Sequence, residues 1–411
     1  MKAVGIIAEY NPFHNGHAYL IKQARKQTDA DAVIVIMSGS FVQRGEPAIF
    51  DKYTRTRAAL ACGADLVLEL PVWCATASAE LFAAGAVAQL TAAGCDFLCF
   101  GSECGNLSLL QQVAKLLAEE PPAYRDHLQT ALRTGLSYPA AVMKAASHTI
   151  EGHWALSDQL PALLSSPNNL LSIEYLKAIY RQHSSMQPVT IQRIGQGYHD
   201  TTPTEPYSSA SAIRNYLHTS DSDSTTVENQ TFSELSQWMP PEALSCIQPA
   251  QALRADDFSG LLDYRRCYTD DFTKWAGFSP ALSNRLLALE HTPVALTEVA
   301  AQLKTKQYTY SHISRALFHM LLDIRYTDLE AAEAVGYTPY LRVLGIRREM
   351  TGLLRQISRN TDIPLINKVA DALPDRLFQL DLQASHLYRS VLYHKTRVLL
   401  PDEYRAGVSI L

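Results

Sequence analysis

The chain has 411 residues, of which 47% are hydrophobic and 19% are charged, and its formal net charge is −5. This composition is typical of a globular protein with a sizeable core, and it excludes intrinsic disorder and the fibrous classes. The acidic balance also excludes a chain that is strongly basic throughout, which is the usual signature of a dedicated nucleic-acid binder.

The first half of the chain predicts a parallel α/β sheet. Short apolar runs rich in β-branched residues indicate buried strands at residues 3–8, 32–37, 65–70, 97–100 and 189–194. Between them, apolar periodicity predicts helices at residues 17–27, 54–62, 78–93 and 168–181. Strands that alternate with helices favour right-handed crossovers. Because ligands of such sheets bind at the carboxyl ends of the strands, the chemistry should lie in the loops that follow them.

A polar stretch rich in Ser, Thr and Asp, residues 218–230, separates this half from the rest. We therefore divide the chain into residues 1–220, a linker at 221–235, and a mostly helical part at 236–411. Helical periodicity in the last part is clearest at residues 279–290, 297–304, 311–326, 346–357 and 384–398. The first 249 residues carry 16 Lys and Arg against 23 Asp and Glu, whereas the remainder carries 20 against 18. The second part could therefore present a local basic face, which permits an RNA partner without indicating one.

Cysteine usage and hydropathy indicate the compartment. No apolar run reaches the roughly 18 residues that span a membrane, and the first apolar stretch is broken too early for a signal peptide. The seven cysteines form no disulfide-like framework, which favours a reducing cytoplasm. Cys95, Cys99 and Cys104 lack a Cys-x-x-Cys pair, so we predict no metal site formed by these residues.

The sharpest motif is His14-Asn15-Gly16-His17, which follows the first strand and opens the next helix. Gly16 would let a nucleotide approach the backbone, the amides of the helix start would favour an anion, and the two imidazoles could donate to phosphate oxygens. The alternative is a pair of surface or capping histidines. The position after a buried first strand favours a nucleotide triphosphate site.

Three further segments carry cations at places where a substrate would bind. Ser211 predicts a helix N-cap, and with Arg214 it could converge on phosphates, although an ordinary capped helix is the alternative. Arg44 follows the second strand and suits a carboxylate or a phosphate, or else a loop salt bridge. Lys52, Arg55 and Arg57 open a helix, where phosphate contact and a solvated face are equally compatible with the pattern.

Taken together, the motifs resemble those of the HxGH-type nucleotidyltransferase superfamily, and more closely those of the bacterial tRNA(Met) cytidine acetate ligase family. The resemblance covers essentially the whole chain and rests on the blocks Ala8–His17, Ser38–Ala48, Phe100–Glu103, Ser166–Leu170, Arg193–Gly195, Tyr198–Asp200, Ser208–Arg214 and Leu303–Thr309. It implies a Rossmann-like parallel-sheet nucleotidyltransferase domain followed by a mostly α-helical C-terminal domain. It also implies an ATP-dependent ligase that makes acetyl-adenylate and transfers the acetyl group to N4 of the wobble cytidine of elongator tRNA(Met).

The same resemblance assigns roles to individual residues. It implies a catalytic set of His14, His17, Arg44, Ser211 and Arg214. For ATP, expected to arrive with Mg²⁺, it implies contacts from Ile7, Ala8, Glu9, Tyr10, Asn11, Pro12, Phe13, His14, Asn15, Gly16, His17, Ala18, Tyr19, Leu20, Gly101, Asn168 and Arg193. The assignments of Asn168 and Arg193 rest on the family alone; from the sequence itself they would be a helix cap and a surface residue.

Cations interleaved with an aromatic residue in the second half suit an RNA surface, because phosphates need cations and bases can stack on a ring. This predicted RNA-binding set is Lys304, Lys306, Tyr308, Arg315, Arg347 and Arg348. The alternative is a helix surface with scattered cations.

Two other functions remain compatible with parts of the pattern. A small-molecule adenylyltransferase would use the same nucleotide site, but the long helical C-terminal part disfavours it. A non-enzymatic RNA-binding protein is disfavoured by the intact histidine and serine motifs. We expect acetate and tRNA as partners, and neither a membrane nor a protein partner is implied.

Overall fold

The computed structural model describes residues 1–136, 138–149, 160–194, 207–220, 233–248, 250–372 and 375–411. Its main sheet has eight strands in the order β10-β8-β5-β2-β1-β6-β7, with β9 attached to β8. These strands are β1 (Ala3–Ala8), β2 (Ala32–Ser38), β5 (Leu66–Leu70), β6 (Phe97–Ser102), β7 (Gln187–Gln192), β8 (Leu341–Ile346), β9 (Leu365–Ile366) and β10 (Ser409–Ile410). A separate two-stranded ribbon consists of β3 (Phe41–Val42) and β4 (Glu46–Pro47).

The five strands predicted from the first half are confirmed and are mutually parallel. β1 lies at the centre, pairing with β2 on one side and with β6 on the other. β5 extends the sheet beyond β2, and β7 extends it beyond β6. Their carboxyl ends therefore meet at one edge of the sheet, as the sequence predicts.

Helices of the first half connect these strands. They are α1 (Asn15–Thr28), α2 (Lys52–Ala61), α3 (Val72–Ala75), α4 (Ala79–Ala92), α5 (Leu107–Glu119), α6 (Pro122–Arg133), α7 (Tyr138–Thr149), α8 (Leu160–Ser165), α9 (Pro167–Arg181) and α10 (Ala210–Ser220). The alternating pattern of β2 shows why both faces are covered. Ile34 and Ile36 pack in the core with α4 and α9, whereas Val33 and Val35 pack in the core with α1 and α2.

The second half is mostly helical, as predicted. Its helices are α11 (Pro241–Ile247), α12 (Ser259–Cys267), α13 (Pro280–Leu287), α14 (Leu296–Leu303), α15 (Tyr310–Leu321), α16 (Tyr326–Ala334), α17 (Gly352–Asn360) and α18 (Arg376–Thr396). Short 3₁₀ turns lie at Ala255–Phe258, Arg348–Met350 and Val369–Asp371.

The structure differs from the sequence expectation in that the second half also contributes three strands to the main sheet. β8 runs antiparallel to β5, with Ile346 opposite Leu66 and Arg342 opposite Glu69. β9 and β10 both pair with β8. The sheet is therefore shared by residues on both sides of the proposed linker, although residues 221–232 of that linker lie outside the described part of the chain.

The cationic start of α2 is neither a solvated face nor a phosphate site, so both readings are wrong for Lys52 and Arg55. The Lys52 side chain is 2% exposed and pairs with Glu69 at 2.8 Å and with Glu403 at 3.2 Å. Arg55 is 1% exposed and donates to the backbone oxygens of Glu9, Ser38, Gly39 and Phe50. Arg57 is exposed and donates to Thr54 Oγ1.

Candidate active site

A cleft opens at the edge where the parallel strands end, as expected for this topology. Its walls are β1 with its following loop, the β3–β4 turn, the end of β6, the face of α9, the end of β7 and the start of α10. The predicted residues that line it are Ile7, Ala8, Glu9, Tyr10, Asn11, His14, Gly16, His17, Tyr19, Leu20, Arg44, Gly101, Asn168, Arg193, Ser211 and Arg214.

The two histidines cap α1 and hold each other in place. Nδ1 of His14 accepts a hydrogen bond from the Gly16 amide at 3.0 Å, and Nδ1 of His17 accepts one from the His14 amide at 3.2 Å. The rings are stacked with centroids 3.7 Å apart. Since each Nδ1 is an acceptor, a neutral ring carries its proton on Nε2. The pair can therefore act as two hydrogen-bond donors toward a ligand.

Burial and neighbouring cations keep both rings neutral. Desolvation, with Arg193 and Arg214 adding to it, lowers the pKa of His14 to about 3. Burial likewise lowers the pKa of His17 well below its usual value, with His14 and Arg193 contributing. Neutral imidazoles that donate through Nε2 can stabilise charge on phosphate oxygens without themselves changing protonation state.

The expectation that the amides at the start of α1 would bind the anion is wrong, because these groups are already used. The amide of Asn15 donates to Trp238 O at 2.8 Å, and the amide of Gly16 donates to His14 Nδ1. The amide of His17 donates to His14 O at 2.9 Å. Only the imidazoles and the dipole of α1 are therefore available to a bound anion at this helix start among the described groups.

Gly16 is required for the histidine arrangement. A Cβ at this position would lie 2.9 Å from Cε1 of His14 and 3.1 Å from its Nδ1. Any side chain would push the His14 ring away from the amide that it accepts from. The glycine of the motif thus serves the histidine geometry directly, in addition to leaving room for a nucleotide.

Ser211 is not the cap of α10, which corrects the sequence interpretation. The cap is Ser209, whose Oγ accepts from the Ala212 amide at 3.0 Å. Ser211 lies inside the first turn, and its hydroxyl contacts Arg44 at 3.2 Å and Arg214 at 3.5 Å. Ser208, Ser209 and Ser211 lie within four residues of one another, and each is a residue type that caps helices, so the sequence alone does not fix which one is the cap. The convergence of Ser211 with the two arginines nevertheless holds.

The arginines are fixed from several sides. Arg214 donates to Asn11 O at 2.7 Å and lies 3.5 Å from the Glu46 carboxylate. Arg44 lines the same end of the cleft. The amides of Ala210 and Ser211 begin α10, and no acceptor for them lies among the described residues. This end of the cleft therefore offers guanidinium, hydroxyl and amide donors to an anion.

Glu9 contributes a carboxylate to the cleft. Its Oε1 accepts from the Gln43 amide at 2.9 Å, and its backbone oxygen accepts from Arg55. Burial raises the pKa of this carboxyl, opposed by the Gln43 amide and by Arg214. It is the sole Asp or Glu among the described residues that line the cleft.

The opposite end of the cleft contains Gly101, Asn168 and Arg193. Arg193 donates to Asn168 Oδ1 at 3.4 Å, and a Cβ on Gly101 would come within 3.3 Å of the Arg193 side chain. Glu103 accepts from the amides of Asn168 and Asn169 and so anchors the start of α9. The structure thus places Asn168 and Arg193, which family resemblance alone had selected, beside Gly101.

Sequence reasoning missed the apolar wall of the cleft, whose members include Phe82, Phe100, Leu171, Tyr175 and Ile191. Helical spacing could have found two of them. Leu171 and Tyr175 lie three and seven residues after Asn168, on the same face of α9. Burial of this kind suits the flat base of a nucleotide.

Four residues of the predicted 7–20 stretch do not line the cleft, and they support its loop instead. Pro12 forms a cis peptide bond with Asn11, and Phe13 is 1% exposed with its ring 4.7 Å from that of Tyr10. Asn15 donates to Gln237 O, and Ala18, a residue of α1, packs against the core beneath that helix. The motif residues Gly195 and Tyr198–Asp200 lie outside the described residues.

The predicted RNA-binding residues fall into two groups. Lys304 and Lys306 are exposed on the turn between α14 and α15, where Tyr308 is half-buried against Ser279. Arg315, on α15, contacts Gln43 O beside the cleft at 3.5 Å.

Arg347 and Arg348 follow β8 and lie elsewhere. Because β8 is antiparallel to β5, its end falls at the edge of the sheet opposite the cleft. There Arg347 pairs with Asp65 at 3.7 Å and with Glu349 at 2.7 Å. Arg348 is exposed, and its amide donates to Leu411 O. The structure therefore does not bring the six residues onto one surface.

Within the part of the chain that the structure describes, no group of three or more His, Cys, Asp or Glu is arranged to hold a metal ion. In the same residues, no helix is long and apolar enough to cross a membrane.

The paired, neutral histidines at the carboxyl edge of a parallel sheet define a nucleotidyltransferase of the HIGH type, and the family model described as HIGH Nucleotidyl Transferase matches residues 1–399. One similar protein is the tRNA(Met) cytidine acetate ligase of Acetivibrio thermocellus, which is 39% identical to this chain over 94% of each protein. Another is the tRNA(Met) cytidine acetate ligase of Halothermothrix orenii, which is 36% identical over 96% of this chain and 95% of the relative. The chain belongs to the tRNA(Met) cytidine acetate ligase family, which confirms the resemblance.

Solved structures agree over the whole length. Apo TmcAL of Thermotoga maritima superposes with a TM-score of 0.91 at 28% identity, covering 100% of both chains. The form of that protein bound with alpha-thio ATP superposes with a TM-score of 0.89 over the same coverage. The predicted fold class is thereby confirmed.

Proposed function

We propose that this chain is an ATP-dependent ligase that activates acetate as acetyl-adenylate and acetylates N4 of the wobble cytidine of elongator tRNA(Met). The observation that carries the proposal is the pair of neutral histidines donating into a cleft built like an ATP site. It is supported by full-length similarity to proteins named tRNA(Met) cytidine acetate ligase and to a solved relative bound with an ATP analogue.

In the first half-reaction, an acetate oxygen attacks the α-phosphorus of ATP, and pyrophosphate leaves with the electron pair of the broken P–O bond. Nε2–H of His14 and of His17 would donate to the phosphate oxygens where negative charge develops. Arg44, Ser211 and Arg214 would hold the acetate carboxylate or the departing phosphates by charge-assisted hydrogen bonds.

Mg²⁺ would enter with the nucleotide. Because no cluster of three metal-ligating side chains occurs among the described residues, phosphate oxygens and water would supply most of its ligands, as is usual for this ion. The ion would supply neutralisation of phosphate charge. His14, His17, Arg44, Ser211 and Arg214 would bind and orient the reactants. This role does not require the protein to supply ligands to Mg²⁺.

In the second half-reaction, the N4 amine attacks the acetyl carbon, and AMP leaves. Adenylation has already provided a good leaving group, so the protein needs no nucleophile of its own. Close positioning of the amine and the mixed anhydride supplies much of the rate.

The test separates the two half-reactions. Without tRNA, the enzyme should catalyse acetate-dependent exchange of pyrophosphate into ATP; with elongator tRNA(Met), N4-acetylcytidine should appear in a nucleoside digest analysed by mass spectrometry. His17→Ala should reduce the exchange by about a hundredfold or more, as for the loss of one oxyanion donor. The exposed His291 offers a control, since His291→Ala should leave the exchange unchanged.

Two results would contradict the proposal. One is exchange that does not depend on acetate, as expected of an adenylyltransferase for another small molecule. The other is normal N4-acetylcytidine in tRNA from a strain that lacks the gene.

A further inference from the structure

The acyl transfer leaves one proton unaccounted for. When N4 of cytidine attacks acetyl-adenylate, a C–N bond forms, the bond between the acetyl carbon and the phosphate oxygen breaks, and AMP takes the electron pair. The product amide has lost one of the two N4 hydrogens. Because the cytidine amine is weakly basic, a group that accepts this proton as the bond forms would lower the barrier.

Most titratable groups of the cleft cannot take it. The Nδ1 atoms of His14 and His17 already accept from backbone amides, and their Nε2 atoms carry protons. The guanidinium groups stay protonated. Tyr10 and Tyr175 are buried, and burial raises the pKa of both phenols above the usual value. None of these side chains presents a basic lone pair to a substrate.

Glu9 differs from all of them. Only Oε1 has a partner, the Gln43 amide, and Oε2 accepts from no described residue. Glu9 forms no ion pair with the described cations, whereas the neighbouring Glu46 is paired with Arg214. Its backbone is held at both sides by β1 and by the Arg55 contact. With no partner among the described residues, Oε2 is available on the cleft wall, and the backbone that carries it is held in place.

The position of Glu9 matches the second substrate rather than the nucleotide base. The residue follows β1 directly and lies at the end of the cleft formed by Arg44, Ser211 and Arg214. Gly101, Asn168 and Arg193 form the opposite end. Of the two roles proposed above for Arg44, Ser211 and Arg214, binding of the acetate carboxylate would place the acetyl carbon of the mixed anhydride on the Glu9 side of the cleft. A carboxylate is also the side chain that accepts hydrogen bonds from a cytosine N4 amine.

We propose that the Glu9 carboxylate accepts a hydrogen bond from the exocyclic amine of the target cytidine and takes its proton during acetyl transfer. This inference rests on the proposed function. It assigns Glu9 a role in the second half-reaction, whereas the resemblance placed it with ATP.

The surroundings of Glu9 indicate the direction of the pH dependence. Charged or titratable groups that face it are Arg44 and Glu46 from the β3–β4 turn, Arg214 from α10, Arg55 from α2 and Tyr175 from α9. Burial is the largest effect, and it raises the pKa of Glu9. The carboxyl must be ionised to act as a base, so the transfer rate should fall as the pH drops through its pKa.

Glu9→Gln is the main test variant, because its amide oxygen can still accept from the Gln43 amide. Acetyl-adenylate is formed first from ATP and labelled acetate, elongator tRNA(Met) is added, and single-turnover transfer is followed from pH 5.5 to 8.5. We expect transfer to fall by about a hundredfold or more with little pH dependence, while acetate-dependent pyrophosphate exchange stays within about threefold of wild type. Glu9→Asp, which restores a carboxylate, should recover part of the transfer rate and its pH dependence.

The exposed Glu119 gives a matched control, since Glu119→Gln should leave both half-reactions unchanged. Wild-type transfer by Glu9→Gln would overturn the proposal, and so would an equal loss of exchange and transfer, which would place Glu9 in adenylation. Failure of the wild-type enzyme to show acetate-dependent exchange would instead contradict the proposed function itself. The two failures are therefore distinguishable in one set of assays.

Discussion

At the scale of single residues, the histidine motif combines a helix cap with the catalytic role that we propose for it. Each Nδ1 satisfies a backbone amide at the start of α1, which leaves each Nε2–H available as a donor. The glycine between them is fixed by the same contact, because only hydrogen fits beside the His14 ring. The capping of α1 and the proposed binding of phosphate therefore require the same two histidines and the same glycine at the same spacing.

Gly16→Ala should impair adenylation without unfolding the protein. The new Cβ would lie 2.9 Å from His14 Cε1, so the ring must move and its hydrogen bond to the Gly16 amide must lengthen. We expect the rate of acetate-dependent pyrophosphate exchange to fall by about tenfold or more, because a hydrogen bond that stabilises the transition state would be weakened. The control is Gly260→Ala on α12, where a Cβ would meet nothing within 4 Å. Equal activities of the two variants would contradict this role of Gly16.

The two imidazoles should stay neutral across the working pH range. The pKa of His14 is lowered to about 3 by burial, so protonation should not occur between pH 8 and 5. In ¹⁵N spectra of histidine-labelled protein, His14 and His17 should show the tautomer with the proton on Nε2 at every pH in that interval. The exposed His183 and His291 provide reference signals from the same sample. An imidazolium pattern for His14 at pH 6 would show that the ring is a charged phosphate ligand instead.

The sequence predicts where the histidines lie and fails for the neighbouring cations, for a physical reason. His14 and His17 interact with their own loop, so their placement follows from local spacing, and their roles stay a prediction. The partners of Lys52 are Glu69 on β5 and Glu403 near the C-terminus, and their proximity is created only by tertiary folding. A charge pattern on one helix carries no information about such distant carboxylates.

At the scale of elements, the strands of the first half were predictable because each is a local apolar run. The strand β8 was not, since Leu341–Ile346 lies among helices and its partner β5, Leu66–Leu70, lies far earlier in the chain. Its antiparallel insertion also decides where Arg347 lies, on the edge away from the cleft. The predicted RNA surface is thereby reduced to the turn between α14 and α15 with Arg315.

This arrangement predicts which cations affect tRNA binding. Each Lys or Arg that contacts a phosphate adds about −0.7 to −0.9 to the slope of log affinity against log salt. Lys304→Ala and Lys306→Ala should each reduce the magnitude of the slope by about 1, whereas Arg348→Ala, at the opposite edge, should leave it unchanged. The measurement is the affinity for elongator tRNA(Met) between low and moderate salt. If only Arg348→Ala changed the slope, the RNA surface would instead lie at the edge of the sheet opposite the cleft.

At the scale of the whole molecule, the two halves share one sheet and one main core. α15 and α18 of the second half place Phe318 and Tyr388 against Phe41 of β3. A buried charge network adds to this connection, since Glu69 and Glu403 are bridged by both Lys52 and Arg342. The cleft therefore rests on residues drawn from the full length of the chain.

Breaking that network should destabilise both halves together. Lys52→Met would leave Glu69 and Glu403 buried with one cation fewer, and removing one partner of a buried pair typically costs about 3–5 kcal/mol of unfolding free energy. The control, Lys115→Met, removes an exposed pair with Glu119 and should change the free energy by less than about 1 kcal/mol. Urea unfolding is followed by far-ultraviolet circular dichroism and by tryptophan fluorescence, to which Trp73 and Trp275, buried in different halves, both contribute. The two signals should give one coincident transition in both variants. Transitions that separate in Lys52→Met would show that each half holds its own fold, and that the shared sheet contributes little to their cooperation.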